Sequence, residues 1–436
     1  MMSADSSFDS WGGLPKVSQS VLSITNRHAQ LPVFEGKGLP RGNGRSYGDS
    51  CLCPGGTLLD ARGLSKFIDF DASSGMIECE GGVTLGEIID LALPHGWFLP
   101  VTPGTQFATV AGAIANDVHG KNHHVAGSFG HHVQSLALQR SDGERIMCQP
   151  GDLTGYFEAT VGGLGLTGLI TEARLQLKRV PGPWLWVDSI KFGSLTEFFD
   201  LSRSSAARFE YSVAWVDCTA HGRNMGRGHF LRGDHAAGNS MLTAPKKRHL
   251  TFPVRPPFSL VNQLTLKPFN SAYYYRQRSK VKSGFSHFSP YFYPLDGINM
   301  WNRMYGRRGF FQYQSVLPPD SAEMGTREML QSIANFGKGS FLAVLKEFGS
   351  MESLGLMSFP RPGTTLAIDF ANDGADVLKL MKRLDEIVTH AGGALYPGKD
   401  ARMSSSLFKA GFPNWEAMSR YLDPRFESGF WKRVME

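Results

Sequence analysis

The sequence contains no run of about 20 consecutive apolar residues, which is the length that a helix needs to cross a membrane. Its opening stretch, residues 1–16, has neither the basic region nor the apolar region of a secretory signal peptide. Cysteine is scarce, with five residues that lack the paired spacing of zinc ligands. These absences favour a reducing compartment, and we expect a cytoplasmic protein.

Acidic residues are missing from one long stretch. Residues 241–290 contain nine Lys or Arg residues and no Asp or Glu, whereas the net charge of the whole chain is +6. Aromatic residues are mixed with these basic ones, as on surfaces that meet anionic lipid headgroups or nucleic acid. A solvated insertion explains the stretch equally well. No nucleic-acid-binding motif accompanies the charge, so we expect no nucleic-acid partner, and a peripheral contact with the inner membrane stays open.

Glycine, in contrast, is abundant, with 50 residues in a chain of 436. A chain of this length can form two domains with separate cores. Up to residue 178, short strands alternate with turns: residues 76–82 read as a strand, Thr84–Glu87 as a capping box, and Asp142-Gly143 as the turn of a hairpin. Pro181-Gly182-Pro183 then interrupts the pattern, and we place a domain boundary there.

A second set of patterns follows that boundary. Ser194–Glu197 reads as another capping box, and residues 321–336 and 373–391 are helical by periodicity. Five segments read as strands of one antiparallel sheet: 185–192, 209–216, 310–316, 341–348 and 364–370. The order of elements predicts an α+β fold.

The first of two prominent glycine-rich segments covers residues 40–49, PRGNGRSYGD. Gly42, Gly44 and Gly48 can adopt positive φ and allow backbone N–H groups to approach an anion. The spacing is not that of a dinucleotide-binding Rossmann fingerprint, and no clean βαβ unit surrounds it. The segment is either a pyrophosphate-binding loop or a tight structural turn.

The second segment covers residues 103–117, PGTQFATVAGAIAND. Its small residues allow a flat group to lie against the start of a helix, where negative charge is favoured. A third cluster, GGLGLTG at 162–168, precedes a strand. The three clusters together indicate one long dinucleotide that crosses a small domain.

Several histidines follow the second segment, namely His119, His123, His124, His131 and His132. We expect no metal site, because no carboxylate lies at helical spacing from them and neighbouring histidines on an extended chain point to opposite faces. A histidine that polarises a cofactor or a substrate and histidines satisfied in the core are the two remaining interpretations.

The two glycine segments carry a resemblance to a known family. GNGRSYGD (42–49) and PGTQFATVAGAIANDVHGKNHHVAGSFG (103–130) closely resemble the FAD-binding segments of the vanillyl-alcohol-oxidase-type superfamily, and within it the polyprenylphosphoryl-ribose oxidases. The likeness continues through WNRMYG (301–306), SFLAVLKEFG (340–349) and LYPGKDAR (395–402). It implies a two-domain PCMH-type fold. The implied parts are an FAD-binding domain over 1–178, an antiparallel-sheet substrate domain over 179–399, and a C-terminal segment over 400–436 that returns to the FAD domain.

The resemblance implies FAD as the cofactor. Some relatives tether FAD through a histidine in the first glycine segment, where this chain has Tyr47, so we expect non-covalent FAD. The residues that the resemblance places against FAD are Gly42, Asn43, Gly44, Arg45, Ser46, Tyr47, Gly104, Thr105, Thr109, Gly112, Asn116, His119, Gly120, Lys121, Asn122, His123, Gly165 and Lys399.

The implied reaction is oxidation of the 2'-hydroxyl of a polyprenyl-phosphate-linked ribose to the 2'-keto sugar, with a partner short-chain reductase completing an epimerisation. Lys399 would stabilise reduced flavin, and Lys346, or His119 through water, would take the proton. Gln312, Gln314, Lys346 and Tyr396 would line the sugar site. On an alternating strand Lys346 could equally face solvent.

One departure concerns Ala367, because mycobacterial members of the family carry at this position a cysteine that covalent inhibitors target. We expect this chain to be insensitive to such inhibitors. Two other functions stay open: an FAD-dependent oxidase of a free alditol, sugar or aldonolactone, and a non-catalytic flavin-binding or lipid-binding protein.

Overall fold

The computed structural model describes residues 8–238, 242–245 and 250–436. Within this part of the chain we number twenty strands, β1 to β20. Their bounds are Ser20–Ser23, Gly38–Arg41, Thr57–Asp60, Phe67–Asp71, Met76–Glu80, Trp97–Phe98, Val133–Gln139, Arg145–Cys148, Leu169–Gln176, Lys178–Arg179, Trp184–Phe192, Tyr211–Val216, Gly228–Ala236, Leu250–Thr251, Val281–His287, Ile298–Asn299, Phe310–Leu317, Ala343–Phe348, Gly363–Ala371 and Ala394–Leu395.

Twelve α-helices, α1 to α12, lie in the same described residues. Their bounds are Leu85–Ala92, Val110–Ala115, His123–Ala126, Tyr156–Thr160, Leu195–Ala206, Gln263–Tyr275, Phe288–Phe292, Pro319–Phe336, Ala375–His390, Ser405–Gly411, Trp415–Met418 and Gly429–Met435. Short 3-10 helices occur at Asp49–Cys51, Ala61–Gly63, Leu93–His95, Phe129–His132, Gly222–Asn224, Trp301–Tyr305, Pro397–Lys399 and Ser419–Tyr421.

Two larger sheets, beside the two-stranded pair of β6 and β10, form the first part of the chain and carry the glycine segments. One is three-stranded and parallel, in the order β1-β3-β2, and the other is five-stranded and antiparallel, in the order β4-β5-β9-β7-β8. The predicted hairpin is confirmed, since β7 pairs with β8 and Gly143 has φ +93°. The capping box is confirmed as well, because Thr84 accepts from the Glu87 amide and Glu87 accepts from the Thr84 amide.

The second part of the chain forms one eight-stranded antiparallel sheet, in the order β15-β11-β13-β12-β18-β19-β17-β20. It contains all five strands that the alternation predicted, which confirms that prediction. The register places Gln312 opposite Asp369 and Gln314 opposite Ala367 on β17 and β19. Because side chains alternate along a strand, these four residues lie on one face of the sheet. The sequence patterns did not identify the three further strands of this sheet, β13, β15 and β20.

Helices α8 and α9 pack behind this sheet and confirm the predicted helices. Each buries an apolar stripe, with Leu330 and Ile333 on α8 and Leu384 and Val388 on α9. The second predicted capping box is wrong in one half. Ser194 accepts from the Glu197 amide, but the Glu197 carboxylate accepts from the amide of Gly193, 2.7 Å away, and not from that of Ser194.

The C-terminal segment packs against the first part of the chain. Arg433 donates to Asp49 at 2.7 Å, and the Asp423 amide donates to the Leu166 carbonyl at 2.7 Å. Aromatic residues of α10 and α12, Phe408 and Phe430, belong to the same buried core as the eight-stranded sheet. The architecture is therefore α+β, with helices beside antiparallel sheets, as the sequence predicted.

The basic stretch 241–290 is described only in part. Met241, Lys246, Lys247, Arg248 and His249 lie outside the described residues. The remainder includes α6 and the edge strand β15.

Candidate active site

A deep cleft lies where the glycine segments meet the eight-stranded sheet. The space within it, together with the solvent at its open mouth, amounts to about 1270 Å³. Its walls come from all three glycine clusters, from β17 and β18, and from the 3-10 helix at Pro397–Lys399. The residues predicted for the site that line this cleft are Gly42, Asn43, Gly44, Arg45, Ser46, Gly104, Thr105, Thr109, Gly112, Asn116, His119, Gly165, Gln314, Lys346, Tyr396 and Lys399.

The first two glycine segments touch each other along one wall of the cleft. The Asn43 side-chain amide donates to the Phe107 carbonyl at 2.9 Å. A Cβ atom at Gly42 would lie 2.3 Å from Oγ1 of Thr109, so no side chain fits there. Thr109 caps α2 by accepting from the Gly112 amide at 3.2 Å. The two segments therefore form one continuous surface.

Backbone donors are available along the first segment. From Asn43 to Ser46, no backbone amide donates to an acceptor among the described residues, and all four residues line the cleft. Gly44 has φ +58°, a conformation that favours glycine. Successive free amides on such a turn can bind an anion. This geometry supports a phosphate-binding loop over the alternative of a purely structural turn.

Arginine side chains add positive charge beside these amides. The Arg45 guanidinium lies between the rings of Trp11 and Phe107, at 4.3 and 5.0 Å from their centroids. Burial lowers its pKa, which the negative charge of Asp296 opposes. The Nε atoms of Arg41 and Arg45 and the hydroxyl of Ser50 are buried without a partner among the described residues. Buried donors of this kind are normally satisfied, so they fit an anionic ligand that accepts hydrogen bonds.

Open space faces two of the predicted glycines. A Cβ atom at Gly104 would meet nothing within 4 Å, and one at Gly165 would meet only the Pro40 carbonyl, at 3.8 Å. Both residues line the cleft. They leave room for a bulky group to lie directly on the backbone. The cleft thus fits a long ligand with a phosphate-bearing part and a flat part, as FAD has.

His119 and Gln314 lie side by side in the wall of the cleft. Gln314 donates to Nε2 of His119 at 2.9 Å and to Oγ1 of Thr365 at 3.2 Å. Burial and the positive charge of Lys346 hold the pKa of His119 well below its usual range. The imidazole is therefore neutral, with its proton on Nδ1, which has no partner among the described residues.

Two lysines complete this end of the cleft. The Lys346 ammonium donates to the Gly120 carbonyl at 3.4 Å, and burial and then Lys399 lower its pKa to about 7. The Lys399 ammonium lies 4.0 Å from the ring centroid of Tyr47, and burial lowers its pKa to about 8. The structure thus places Lys346 in the cleft wall and not on a solvent-facing side of the strand.

Several predicted residues lie behind the cleft wall and do not line it: Tyr47, Gly120, Lys121, Asn122, His123 and Gln312. The Lys121 ammonium donates to the Tyr291 carbonyl, and Asn122 donates to the Pro100 carbonyl at 2.8 Å. Gln312 donates to Asp369 at 2.8 Å. These residues pack against the lining residues and support their positions.

Sequence reasoning missed three contributors, which are Trp11, Arg41 and Ser50. Arg41 lies within the first glycine segment and Ser50 directly follows it, and these positions were the available signal. Trp11 gave no such signal, because its stacking on Arg45 depends on how the N-terminal segment crosses the loop.

Within the described residues, no group of three or more His, Cys, Asp or Glu side chains is arranged to hold a metal ion. Four of the five histidines after the second segment have other partners, whereas both ring nitrogens of His123 are buried without a hydrogen-bond partner among the described residues. His124 pairs with the Phe209 carbonyl and His132 with the Ala126 carbonyl, at 3.0 and 2.9 Å.

Comparison with known proteins identifies the cofactor. The FAD binding domain family matches residues 32–149, which include the first two glycine segments. Decaprenylphosphoryl-beta-D-ribose oxidase of Mycolicibacterium smegmatis is 35% identical over 434 residues, covering 95% of this chain and 94% of that protein. The chain belongs to this family of FAD-dependent oxidoreductases.

Other members of the family and more distant proteins show how the likeness is distributed. An uncharacterised Streptomyces coelicolor protein is 32% identical over 76% of this chain and 92% of its own length. Rice cytokinin dehydrogenase 7 is 30% identical, but only over 39% of this chain and 34% of its own length. Membership of the family therefore confirms FAD as the cofactor and an oxidoreductase function.

Proposed function

We propose that this enzyme oxidises the 2'-hydroxyl of a polyprenylphosphoryl-β-D-ribose to the 2'-keto sugar. The observation that carries the proposal is the grouping of Lys346, Gln314 and His119 at the inner end of the FAD cleft, in a chain similar over nearly its full length to a ribose oxidase. Loss of two electrons and two protons converts the secondary alcohol to the ketone. The reaction acts on a CH–OH group of the sugar.

The residues that would hold FAD are those with free donors and open glycine surfaces. The amides from Asn43 to Ser46, with Arg41 and Arg45, would bind the diphosphate. Gly104 and Gly165 would let the cofactor lie on the backbone. When bound, FAD supplies the acceptor for the two electrons that leave the sugar carbon. Tyr47 offers no imidazole for a covalent tether, so the cofactor is held by these contacts alone.

Lys346 is our assignment for the base that takes the hydroxyl proton. A base must be partly deprotonated at working pH, and the pKa of Lys346 is lowered to about 7. His119 is less suited, because Gln314 occupies its Nε2 atom and its other nitrogen carries the proton. The Nδ1–H group of His119 would instead donate to the substrate.

We assign to Lys399 the role of a fixed positive charge in the cleft wall. It lies beside Tyr47 in the wall, and its pKa of about 8 leaves it mostly protonated at pH 7. A fixed positive charge at this point stabilises negative charge that develops in the cleft during the reaction. Gln314 and Tyr396 would orient the sugar, and the Tyr396 hydroxyl is itself fixed by donating to the Asn116 carbonyl at 2.9 Å.

The sheets support a division of the chain into an FAD-binding domain (1–178), a substrate domain (179–399) and a returning C-terminal segment (400–436). Strands β1 to β9 lie in the first part, and all strands of the eight-stranded sheet lie in the second. The cleft between them would then be the meeting point of cofactor and sugar.

A membrane surface is the proposed source of the lipid substrate. No described helix is long and apolar enough to cross a membrane. Large apolar side chains are exposed, however, in and around the basic stretch: Leu250, Val254, Phe258, Leu260, Leu264, Phe269, Tyr275, Val281, Phe285 and Ile298. Apolar and basic residues together suit a peripheral contact with anionic lipid.

The ketone product would pass to a partner short-chain reductase.

The decisive experiment is anaerobic bleaching of the flavin absorbance by candidate sugars. We expect polyprenylphosphoryl ribose to bleach it, with a product that has lost two hydrogens by mass spectrometry. The matched control is the 2'-deoxyribose analogue, which cannot form the ketone. Bleaching by free alditols or aldonolactones alone would favour the alternative oxidase. A flavin that no sugar reduces would favour a binding protein.

A further inference from the structure

Residues 9–13, which we call the N-terminal strap, cross between the first glycine segment and β17. On one side the Gly12 amide donates to the Tyr47 carbonyl at 3.2 Å, and on the other the Phe310 amide donates to the Gly12 carbonyl at 3.0 Å. A Cβ atom at Gly12 would lie 2.4 Å from the Tyr47 carbonyl oxygen and 2.7 Å from that of Phe310, so no side chain fits there. The strap precedes residues 32–149, which match the FAD binding domain family, yet it is built into the wall of the cleft.

Trp11 of the strap is held through both its backbone and its ring. Its amide donates to the Ser46 carbonyl at 2.8 Å, and its carbonyl accepts from the Asn302 side chain at 2.9 Å. Its ring lies edge-to-face with that of Trp301, with centroids 5.7 Å apart, and Trp301 is itself buried. The Trp11 indole therefore has a fixed position beside the first glycine segment.

This fixed indole lies against the guanidinium of Arg45. The guanidinium carbon is 4.3 Å from the Trp11 ring centroid and 5.0 Å from that of Phe107. A cation–π contact restrains the guanidinium without occupying its N–H donors. The Nε atom of Arg45 is buried without a partner among the described residues, and Arg45 lines the cleft. The two rings thus fix a cation in the cleft wall while its donors stay available.

We propose that Trp11 is a positioning residue for FAD binding, which holds the Arg45 guanidinium at the wall of the cleft with its N–H groups ready for an anionic cofactor. The inference rests on the proposed function in one respect, the assignment of Arg45 to the diphosphate. It adds the N-terminal strap to the FAD site. Without the indole the long Arg45 side chain would regain rotamer freedom, and FAD binding would have to restrict it again.

A double-mutant cycle on FAD affinity tests the proposal. Each apoprotein is titrated with FAD, and the Kd is obtained from the flavin fluorescence. Trp11→Leu should raise the Kd about tenfold, whereas Trp11→Phe, which keeps a ring, should restore most of the affinity. Arg45→Met alone should raise the Kd by about tenfold or more. Adding Trp11→Leu to Arg45→Met should raise it no further, because the indole then has no cation to hold.

The cycle separates positioning from a structural role. If Trp11 only stabilised the fold, Trp11→Leu would weaken FAD binding by the same factor with and without Arg45, and this additive result would overturn the proposal. An unchanged Kd in Trp11→Leu would overturn it too. Trp11→Met, which has no ring but a longer side chain than leucine, is a second variant with the same expected results. The melting temperature of each apoprotein shows whether it is folded.

Trp186→Leu is the matched control. Trp186 lies on β11, is 45% exposed and contacts the Phe285 ring outside the cleft, so its replacement should leave the Kd at the parent value. An unchanged Kd in Arg45→Met would refute the assignment of Arg45 to FAD and the inference with it. Since the titration needs no sugar, failure of the proposed reaction would appear separately, in the bleaching experiment.

Discussion

The Nε2 atoms of His119 and Gln314 lie 2.9 Å apart, although the two residues are 195 positions apart in the chain. His119 follows the second glycine segment, and Gln314 lies on β17 of the large sheet. Their hydrogen bond therefore joins the part of the cleft expected to bind FAD to the part expected to bind the sugar. Gln314 also fixes which nitrogen of His119 can donate.

Replacing Gln314 by leucine should lower kcat/KM by about tenfold to a hundredfold, because the buried Nε2 atom of His119 would lose its donor. The FAD content should not change. Steady-state kinetics and the flavin-to-protein absorbance ratio measure the two quantities. Gln331→Leu on α8, where Gln331 bonds to Asn335, is the control and should behave like the parent. If the two variants are equally active, Gln314 does not contribute to catalysis.

Lys346→Met should reduce kcat by about 10²–10⁴-fold, the usual contribution of a general base, while FAD still binds. Lys346→Arg should be nearly as inactive, because a guanidinium cannot lose its proton at working pH. Rapid anaerobic flavin reduction measures the chemical step directly. Lys409→Met provides a control, since Lys409 lies over the Trp415 ring outside the cleft. An active Arg variant would show that Lys346 acts through charge and not as a base.

The pH dependence of kcat/KM should be bell-shaped. Lys346 must be deprotonated to act as the base, so activity should rise as pH increases through about 7. Lys399 must stay protonated, so activity should fall as pH increases through about 8. The optimum then lies between these values. The rising limb should disappear in Lys346→Met, measured on its residual activity; a limb that persists would assign the ionisation to another group.

Gly104→Val should weaken FAD binding by tenfold or more without lowering the melting temperature of the apoprotein. A Cβ atom at Gly104 meets no protein atom within 4 Å, and Gly104 lines the cleft, so the valine side chain would project into the space that we assign to the cofactor. Each tenfold loss corresponds to about 1.4 kcal/mol of binding free energy. Fluorescence titration of the apoprotein with FAD measures the affinity.

Gly284→Val is the matched control for this variant. A Cβ atom at Gly284 also meets nothing within 4 Å, but Gly284 lies on the edge strand β15, outside the cleft. FAD affinity should stay at the parent value. Unchanged affinity in Gly104→Val would mean that the cofactor does not lie on this loop.

Local sequence patterns predicted those structural elements that depend on residues only a few positions apart in the chain. The Thr84–Glu87 capping box and the Asp142-Gly143 hairpin depend on neighbours in sequence, and both formed as expected. Strand β13, Gly228–Ala236, was missed because its glycines and charged residues break the alternation. It forms because β11 and β12 pair with it on both sides.

Prediction of the functional site was limited in the same way, because some of its contacts join residues far apart in the chain. The glycine spacing and the family resemblance led to the residues of the FAD cleft. The alternation of side chains along a strand, however, could not decide whether Lys346 faces solvent or the interior. The sheet register decides it, by placing β18 beside β19 so that Lys346 pairs with Thr365, the residue to which Gln314 donates. The contact between Asp369 and Gln312 likewise follows from register alone. Pairings between distant strands are not encoded in any short segment.

The basic stretch should bind vesicles that contain anionic lipid and not neutral ones. Lys267 lies on α6 and Lys282 on β15, close in sequence to the exposed apolar residues Leu264 and Val281. A basic residue near an anionic membrane surface contributes about 1 kcal/mol. Replacing both lysines by glutamine should therefore weaken vesicle binding about 30-fold. Co-sedimentation with phosphatidylglycerol vesicles measures it, and added salt should weaken the binding of the parent protein.

The control removes the same charge elsewhere. Lys379 and Lys382 lie on α9, behind the large sheet, and their replacement by glutamine should leave vesicle binding at the parent level. Activity separates the two candidate functions, because an oxidase of free sugars needs no lipid surface. If the Lys267 and Lys282 variant loses vesicle binding but keeps full activity on vesicle-borne substrate, the surface does not deliver the lipid. A loss on vesicle-borne substrate with full activity on a short-chain soluble analogue would place the basic stretch in substrate capture and leave the cleft chemistry intact.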